Sequence, residues 1–215
     1  MTTPFEIIRS IGVVPVIAIE RKEDAVPLAD ALLEGGLPVA EITFRTAAAA
    51  EVIAAMHDKR PDLCVGAGTI LDLSSLDAAI KAGSSYGLAP GFDGNIVAAA
   101  AKAKLPFAPG IMTPSDLSAA AAAGTKLAKF FPAGPAGGPS FLAAISAPFL
   151  HLGITFIPTG GVTEENLPDW LKVKSVVAVG GTWIARTEDI RNGQFAEITR
   201  RAKSAVAAVK RAREG

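Results

Sequence analysis

Short apolar or β-branched runs recur along the chain, each broken by a Gly, Pro or Thr turn and followed by an Ala-, Leu-, Glu- and Lys-rich stretch at helical spacing. After an opening helix from Pro4 to Ile11, the first run is Val13–Ile19 and its helix runs from Lys22 to Gly35, with Gly35-Gly36 as the stop. The second run, Val39–Phe44, leads into a helix from Thr46, read as its N-cap, to His57; the third, Leu63–Thr69, leads into Ser74–Ala82. Ser85–Ala89 and its helix Asp93–Lys102 come fourth. Leu105–Ile111 comes fifth, followed by Thr113 and Pro114, which suit an N-cap and a first helical position. The sixth run is Leu127–Pro132, with a helix near Ser140–Ser146 beyond a Gly/Pro/Ala loop. The seventh is Thr155–Pro158 with Thr163–Leu171, and the eighth is Ser175–Val179, ending in Gly180-Gly181-Thr182.

The repeat is roughly 20–28 residues long, enough for one strand and one helix. Eight such units mean parallel strands with right-handed crossovers, and their count and tight spacing favour a closed (β/α)8 TIM barrel over an open sheet. The fold class is therefore α/β, with an extra N-terminal helix and a C-terminal helix. No linker or composition shift divides residues 1–215, so one domain is expected. From Phe195 to Glu214 the apolar positions Phe195, Ile198, Ala202, Val206 and Val209 form a narrow stripe, which reads as a helix with a largely solvated outer face.

Composition removes several function classes. Lys+Arg 21 balances Asp+Glu 21 at zero net charge, which argues against nucleic acid or an anionic membrane as partner. Cys64 is the single cysteine, so neither a disulfide framework nor a thiolate metal site is expected. Met1–Glu6 lacks a signal-type pattern and no apolar stretch is long enough to span a bilayer, so the expectation is a cytoplasmic protein. His57 and His151 have no partner at metal spacing, and no P-loop, nucleophile elbow or dinucleotide fingerprint is present. No metal or cofactor is expected.

The polar residues that stand out fall at the C-terminal ends of the strands, where barrels of this class carry their chemistry. Lys129 sits within Leu127-Ala128-Lys129-Phe130-Phe131-Pro132. A lysine flanked by strand-forming apolar residues is either an edge-strand lysine reaching water or an amine held in a dry site, where burial favours the neutral, nucleophilic form. Glu41, Thr43 and Arg45 alternate with Ile42 and Phe44, which puts all three on one side of a strand. In a barrel lumen they supply either a structural Glu–Arg pair or a reactive carboxylate with an anion-binding guanidinium. Gly66-Ala67-Gly68-Thr69, Pro90-Gly91 and Pro109-Gly110 are either plain turns or places where backbone approaches a ligand. Thr159-Gly160-Gly161 and Gly180-Gly181-Thr182 follow strands seven and eight, where a barrel often holds phosphate.

Taken with Val13-Val14-Pro15-Val16 and Trp183, these motifs resemble, in order and spacing, the 2-keto-3-deoxy-6-phosphogluconate / 4-hydroxy-2-oxoglutarate aldolases, over nearly the whole chain. The resemblance implies a metal-free class I aldolase. Lys129 is then the Schiff-base lysine and Glu41 the general acid/base; Arg45 and Thr69 hold the pyruvyl carboxylate. Phe131 lies beside the iminium, Pro90 belongs to the substrate-binding set, and Thr159, Gly160, Gly161, Gly180, Gly181 and Thr182 bind substrate, chiefly its phosphate. It also implies a homotrimer. The implied reaction cleaves 2-dehydro-3-deoxy-6-phosphogluconate to pyruvate and glyceraldehyde 3-phosphate, with 4-hydroxy-2-oxoglutarate as a second substrate. Alternatives are the galactonate-configured activity of the same family, a phosphosugar isomerase or epimerase using a carboxylate pair, and a non-catalytic phosphate-binding barrel. Gly134, Met112 and Thr182 depart from residues common in the family, which carry a glutamate, a smaller side chain and a serine.

Overall fold

The computed structural model describes residues 2–214. Helix α1 (Pro4–Ile11) opens on a reciprocal cap: the Glu6 amide donates to the Thr3 hydroxyl, the Thr3 amide donates to the Glu6 carboxylate, and Pro4 takes the first turn. The strand segments are β1 (Val13–Ile17), β2 (Val39–Thr43), β3 (Cys64–Gly68), β4 (Gly87–Leu88), β5 (Phe107–Ala108), β6 (Gly110–Ile111), β7 (Leu127–Phe130), β8 (Thr155–Pro158) and β9 (Val179–Gly181). Between and after them come α2 (Ala25–Glu34), α3 (Ala49–Lys59), α4 (Leu73–Lys81), α5 (Gly94–Lys102), α6 (Pro114–Ala122), α7 (Gly138–Ser146), α8 (Leu167–Leu171), α9 (Thr187–Arg191) and α10 (Phe195–Glu214).

The strands pair in parallel in the orders β5-β4-β3-β2-β1-β9 and β6-β7-β8. Pro109 parts β5 from β6, so the two are halves of one staggered strand. Bridges from Phe156 to Val176 and from Thr159 to Gly180 join β8 to β9 and close the ring. The result is the expected (β/α)8 barrel. Its strands are buried on both faces, so β1 reads Val-Val-Pro-Val-Ile with no polar position.

Several boundaries differ from the sequence pattern. Thr46 does not cap α3. The helix starts at Ala49 behind an uncapped Ala48, and the Thr46 hydroxyl donates to the Ile19 carbonyl (2.6 Å), pinning the end of β2 to β1. The stretch from Lys22 begins as a 3-10 turn, Lys22–Asp24, before α2. Helix α8 starts at Leu167, because Pro168 needs the first turn and Thr163 and Asn166 bond to each other in a turn ahead of it. The last strand is Val179–Gly181, so Gly180 and Gly181 lie inside the ladder opposite Val14 and Pro15, and are not a turn after it. Helix α9 falls in the unassigned segment between the eighth run and the C-terminal helix.

Helix α10 is less solvated than its stripe suggests. Ile198, Thr199, Ala202, Ala205, Ala208 and Val209 are buried, and the helix packs on α2 so closely that a Cβ on Gly35 would sit 2.4 Å from that of Ala202. Arg213 at its end donates to the carbonyls of Arg9, Ser10 and Val177, tying the helix to α1 and to the segment before β9. Among the described residues no helix is long and apolar enough to cross a membrane.

Candidate active site

Strands β2 and β7 lie opposite each other in the ring, with β3, β4 and the β5/β6 strand between them on one side. Side chains from these two strands must therefore cross the lumen to meet. Lys129 and Glu41 do so: the ammonium Nζ lies 2.9 Å from Glu41 Oε1, with the two residues only 4% and 1% exposed. Lys129 is thus not an edge-strand lysine reaching water, because β7 is hydrogen-bonded on both flanks, to β6 and β8. A buried charged pair of this geometry is held by mutual satisfaction, and the same contact is a path for a proton between the two groups. Lys129 Nζ also stands over the Phe131 ring, 5.9 Å from its centroid.

The glycines of β3 make room for the protein's own side chains. A Cβ on Gly66 would lie 2.3 Å from the Tyr86 ring, and one on Gly68 would lie 2.0 Å from Glu41 Oε1. Tyr86, buried and donating to the Ala40 carbonyl (2.7 Å), forms part of the floor beneath β2. Of the two readings open for this motif, turn or ligand approach, neither describes Gly66 and Gly68, which lie within β3 and admit close internal packing. Cys64, on the same strand, is a core residue whose thiol burial pushes up to about 11, with the Ser85 hydroxyl opposing.

Arg45 does not share the lumen with Glu41. Strand β2 ends at Thr43, and Arg45 lies beyond it on the surface. Its Nε donates to Thr43 Oγ1 (3.1 Å), whose own hydroxyl donates to the Ile17 carbonyl (2.9 Å), so a buried relay aims the guanidinium. The Glu–Arg pair considered from sequence is absent, since Glu41 is taken by Lys129. Arg45 lines an open cleft of about 590 Å³ together with Gly161, Thr163, Thr182, Trp183 and Arg186. Gly160 and Gly161 both have positive φ, and their turn is zipped to the loop after β7 by the Ala133 and Gly134 amides, which donate to the carbonyls of Thr159 and Gly160 (2.8 Å each). That turn approaches Gly134 to within 3.2 Å of a built Cβ, so a glutamate side chain there would have to leave over the turn.

The other sequence-derived residues divide. Thr69, at the end of β3, has φ +59 and is half-buried. Thr159 is buried with its hydroxyl against Gly180, and Gly180 and Gly181 are buried in β9, with Gly181 beneath the Trp183 ring. Pro90 lies outside the cleft. It lines a separate hollow of about 180 Å³ with Ile70, Leu71 and Phe92, and its backbone packs on Gly110. Thr163, Trp183 and Arg186 of the cleft, and Tyr86 packed on Gly66, had no place in the sequence-derived site. The available signal was position alone, since Trp183 and Arg186 directly follow β9. No group of three metal-ligating side chains occurs among the described residues.

A family model described as KDPG and KHG aldolase matches residues 5–201. The KHG/KDPG aldolase of Escherichia coli (strain K12) is 39% identical over 198 residues, covering 92% of this chain and 92% of that protein. Among solved structures, the KDPG aldolase from Legionella pneumophila, with pyruvate captured at low pH as a covalent carbinolamine intermediate, aligns with TM-score 0.90 at 35% identity, covering 95% of this chain and 98% of that one. The 2-keto-3-deoxy-6-phosphogluconate aldolase of Zymomonas mobilis ZM4 with 3-phosphoglycerate aligns with TM-score 0.87 at 36% identity, covering 96% of each chain.

Proposed function

The chain belongs to the KDPG and KHG aldolase family, and on that premise we propose that it cleaves 2-dehydro-3-deoxy-6-phosphogluconate reversibly to pyruvate and glyceraldehyde 3-phosphate through a Schiff base on Lys129. The observation that carries this reading is the Lys129–Glu41 contact of 2.9 Å across a closed barrel. Lys129 transfers a proton to Glu41 and attacks the C2 ketone; Glu41 returns that proton to the carbinolamine hydroxyl, which leaves as water, giving the protonated iminium and freeing the Glu41 carboxylate. The iminium takes up the electron pair of the C3–C4 bond as Glu41 removes the C4 hydroxyl proton, and the aldehyde leaves. Reprotonation of the enamine at C3 and hydrolysis release pyruvate.

Arg45, aimed by Thr43, binds the pyruvyl carboxylate in two-point fashion with Thr69 beside it. Phe131 packs on the iminium, and the Thr159-Gly160-Gly161 turn with Gly180, Gly181 and Thr182 receives the phosphate. Pro90 acts from its separate hollow by fixing the loop that rests on Gly110. 4-Hydroxy-2-oxoglutarate, cleaved to pyruvate and glyoxylate, is the second substrate. The isomerase alternative asks for two facing carboxylates, whereas Glu41 faces an amine. The enzyme acts as one domain over residues 1–215, in the cytoplasm and as a homotrimer. Exposed Leu71, Leu73 and Met112 support an apolar subunit contact, which sedimentation at three times the chain mass checks.

Borohydride reduction with pyruvate tests the chemistry. One lysine should be labelled, and peptide mapping should place it at Lys129. Lys129→Met should abolish label and turnover, while Glu41→Gln should still be labelled at Lys129, though more slowly, with cleavage slowed about 10²–10⁴-fold. A label on any other lysine refutes the assignment.

A further inference from the structure

We infer that Arg186 is a specificity-determining residue that binds the distal phosphate of the substrate and sets the preference for a phosphorylated six-carbon acid over a short dicarboxylate. This rests on the aldolase reading. The cleft of about 590 Å³ is lined by two guanidiniums, Arg45 and Arg186, and by Thr163, Thr182 and Thr187. Among its described lining residues there is no carboxylate, so the ligand must supply the negative charge. An aldolase substrate of this class has an anion at each end. Arg45, fixed through Thr43 to β1, accounts for one of them. Arg186 lines the same cleft as Gly161 and Thr182, the turn and hydroxyl suited to the other.

The backbone at Arg186 is anchored while its side chain is free. Its carbonyl accepts from the Ile190 amide (3.1 Å), and the adjacent Thr187 hydroxyl donates to the Ala18 carbonyl (3.1 Å) at the end of β1. The side chain is exposed and has no ion pair among the described residues. Carboxylates on the neighbouring segments are engaged: Asp189 pairs with Arg201, Glu20 with Arg191 at 2.9 Å, Glu164 accepts from Ser204, and Glu165 is hydrogen-bonded to Thr163. Glu188, in the first turn of α9, is exposed and does not line the cleft. A guanidinium presents a planar fork of donors matched to a phosphate dianion, and a distal phosphate reaches further along the cleft than the carboxylate of a five-carbon diacid.

The test compares wild type, Arg186→Ala and Arg186→Lys on 2-dehydro-3-deoxy-6-phosphogluconate and 4-hydroxy-2-oxoglutarate. In R186A the ratio of kcat/KM for the phosphorylated over the dicarboxylate substrate should fall about 10- to 100-fold, mainly through KM, with partial recovery in R186K. An unchanged ratio, or equal loss on both substrates, overturns the inference. The melting temperature should not move, since the side chain is exposed. If wild type fails to give a pyruvate-dependent borohydride label, the aldolase reading itself falls, and calorimetric binding of glycerol 3-phosphate then decides Arg186. Binding at least about 10-fold weaker in R186A upholds the anion site, and equal binding removes it.

Discussion

Gly68 and Gly66 show how closely the reacting carboxylate is fitted. Both lie on β3 and both exclude a Cβ, but against different neighbours: the tip of Glu41 at Gly68 and the Tyr86 ring at Gly66. The Glu41 side chain can swing away, whereas the ring of a fully buried tyrosine cannot. Gly68→Ala should therefore slow cleavage by about 10²-fold or more as the Glu41–Lys129 contact opens, and should lower the thermal transition because two buried charges are parted. Gly66→Ala should lose about 1–3 kcal/mol in urea unfolding. If Gly68→Ala keeps full activity, the observed pose of Glu41 is not the working one. Lys129 and Glu41 stood out in the sequence as charges amid strand-forming apolar residues, but each kept a structural alternative until the order and spacing of the motifs implied a role. Arg186 did not stand out, since an arginine in a loop is ordinarily a surface residue and only the closed barrel shows what it lines. Glycine proved ambiguous for a physical reason: its lack of a side chain serves a ligand and a neighbouring residue equally well.

At the level of elements, helix α6 carries a cap whose energetics can be followed with pH. The Asp116 amide donates to the Thr113 hydroxyl (3.2 Å), and the Asp116 carboxylate accepts from the Met112 and Thr113 amides (3.0 and 2.9 Å). Partial burial raises the Asp116 carboxyl, but the accepted hydrogen bonds outweigh it and hold the group below its ordinary range. A carboxyl lowered in the folded state adds stability above its unfolded value, near about 3.9, and loses it as pH falls through the folded value. Asp116→Asn should therefore be less stable than wild type at pH 7, with the gap closing below about pH 4 in chemical-denaturation measurements. A gap that stays constant with pH would assign the loss to packing. Caps of this kind were readable because Thr-Pro-x-Asp is local chemistry. The start of α8 and the last strand were misplaced because their limits depend on other parts of the chain. Pro168 and the Thr163–Asn166 turn delay the helix, and β9 is set by its register with β1, which no local pattern encodes.

The barrel as a whole closes at a seam of unusual economy. Seven of its junctions join strands consecutive in the chain and the eighth, β9 to β1, is a ladder, but the contact between the β8 and β9 segments consists of isolated bridges at Phe156–Val176 and Thr159–Gly180. Side-chain fit must then hold the two edges in register. At the Thr159 bridge that fit is between a threonine and a glycine: a Cβ on Gly180 would lie 2.2 Å from Thr159 Oγ1 and 3.1 Å from Thr159 Cβ. Gly180 also pairs with Val14 on the other side, so it cannot retreat without disturbing the β1–β9 ladder. Gly180→Ala should cost about 1–3 kcal/mol through this overpacking. Thr159→Ala removes the hydroxyl and methyl that cause the clash, leaving a Cβ contact that is tight but tolerable. The double variant should accordingly be more stable than the sum of the single losses implies, by about 0.5–3 kcal/mol in a double-mutant cycle followed by urea unfolding. Both residues are buried and neither carries charge, so the coupling reports packing at the seam and not electrostatics. Strict additivity would mean that Gly180 has another role, and closure would then rest on the β1–β9 ladder alone.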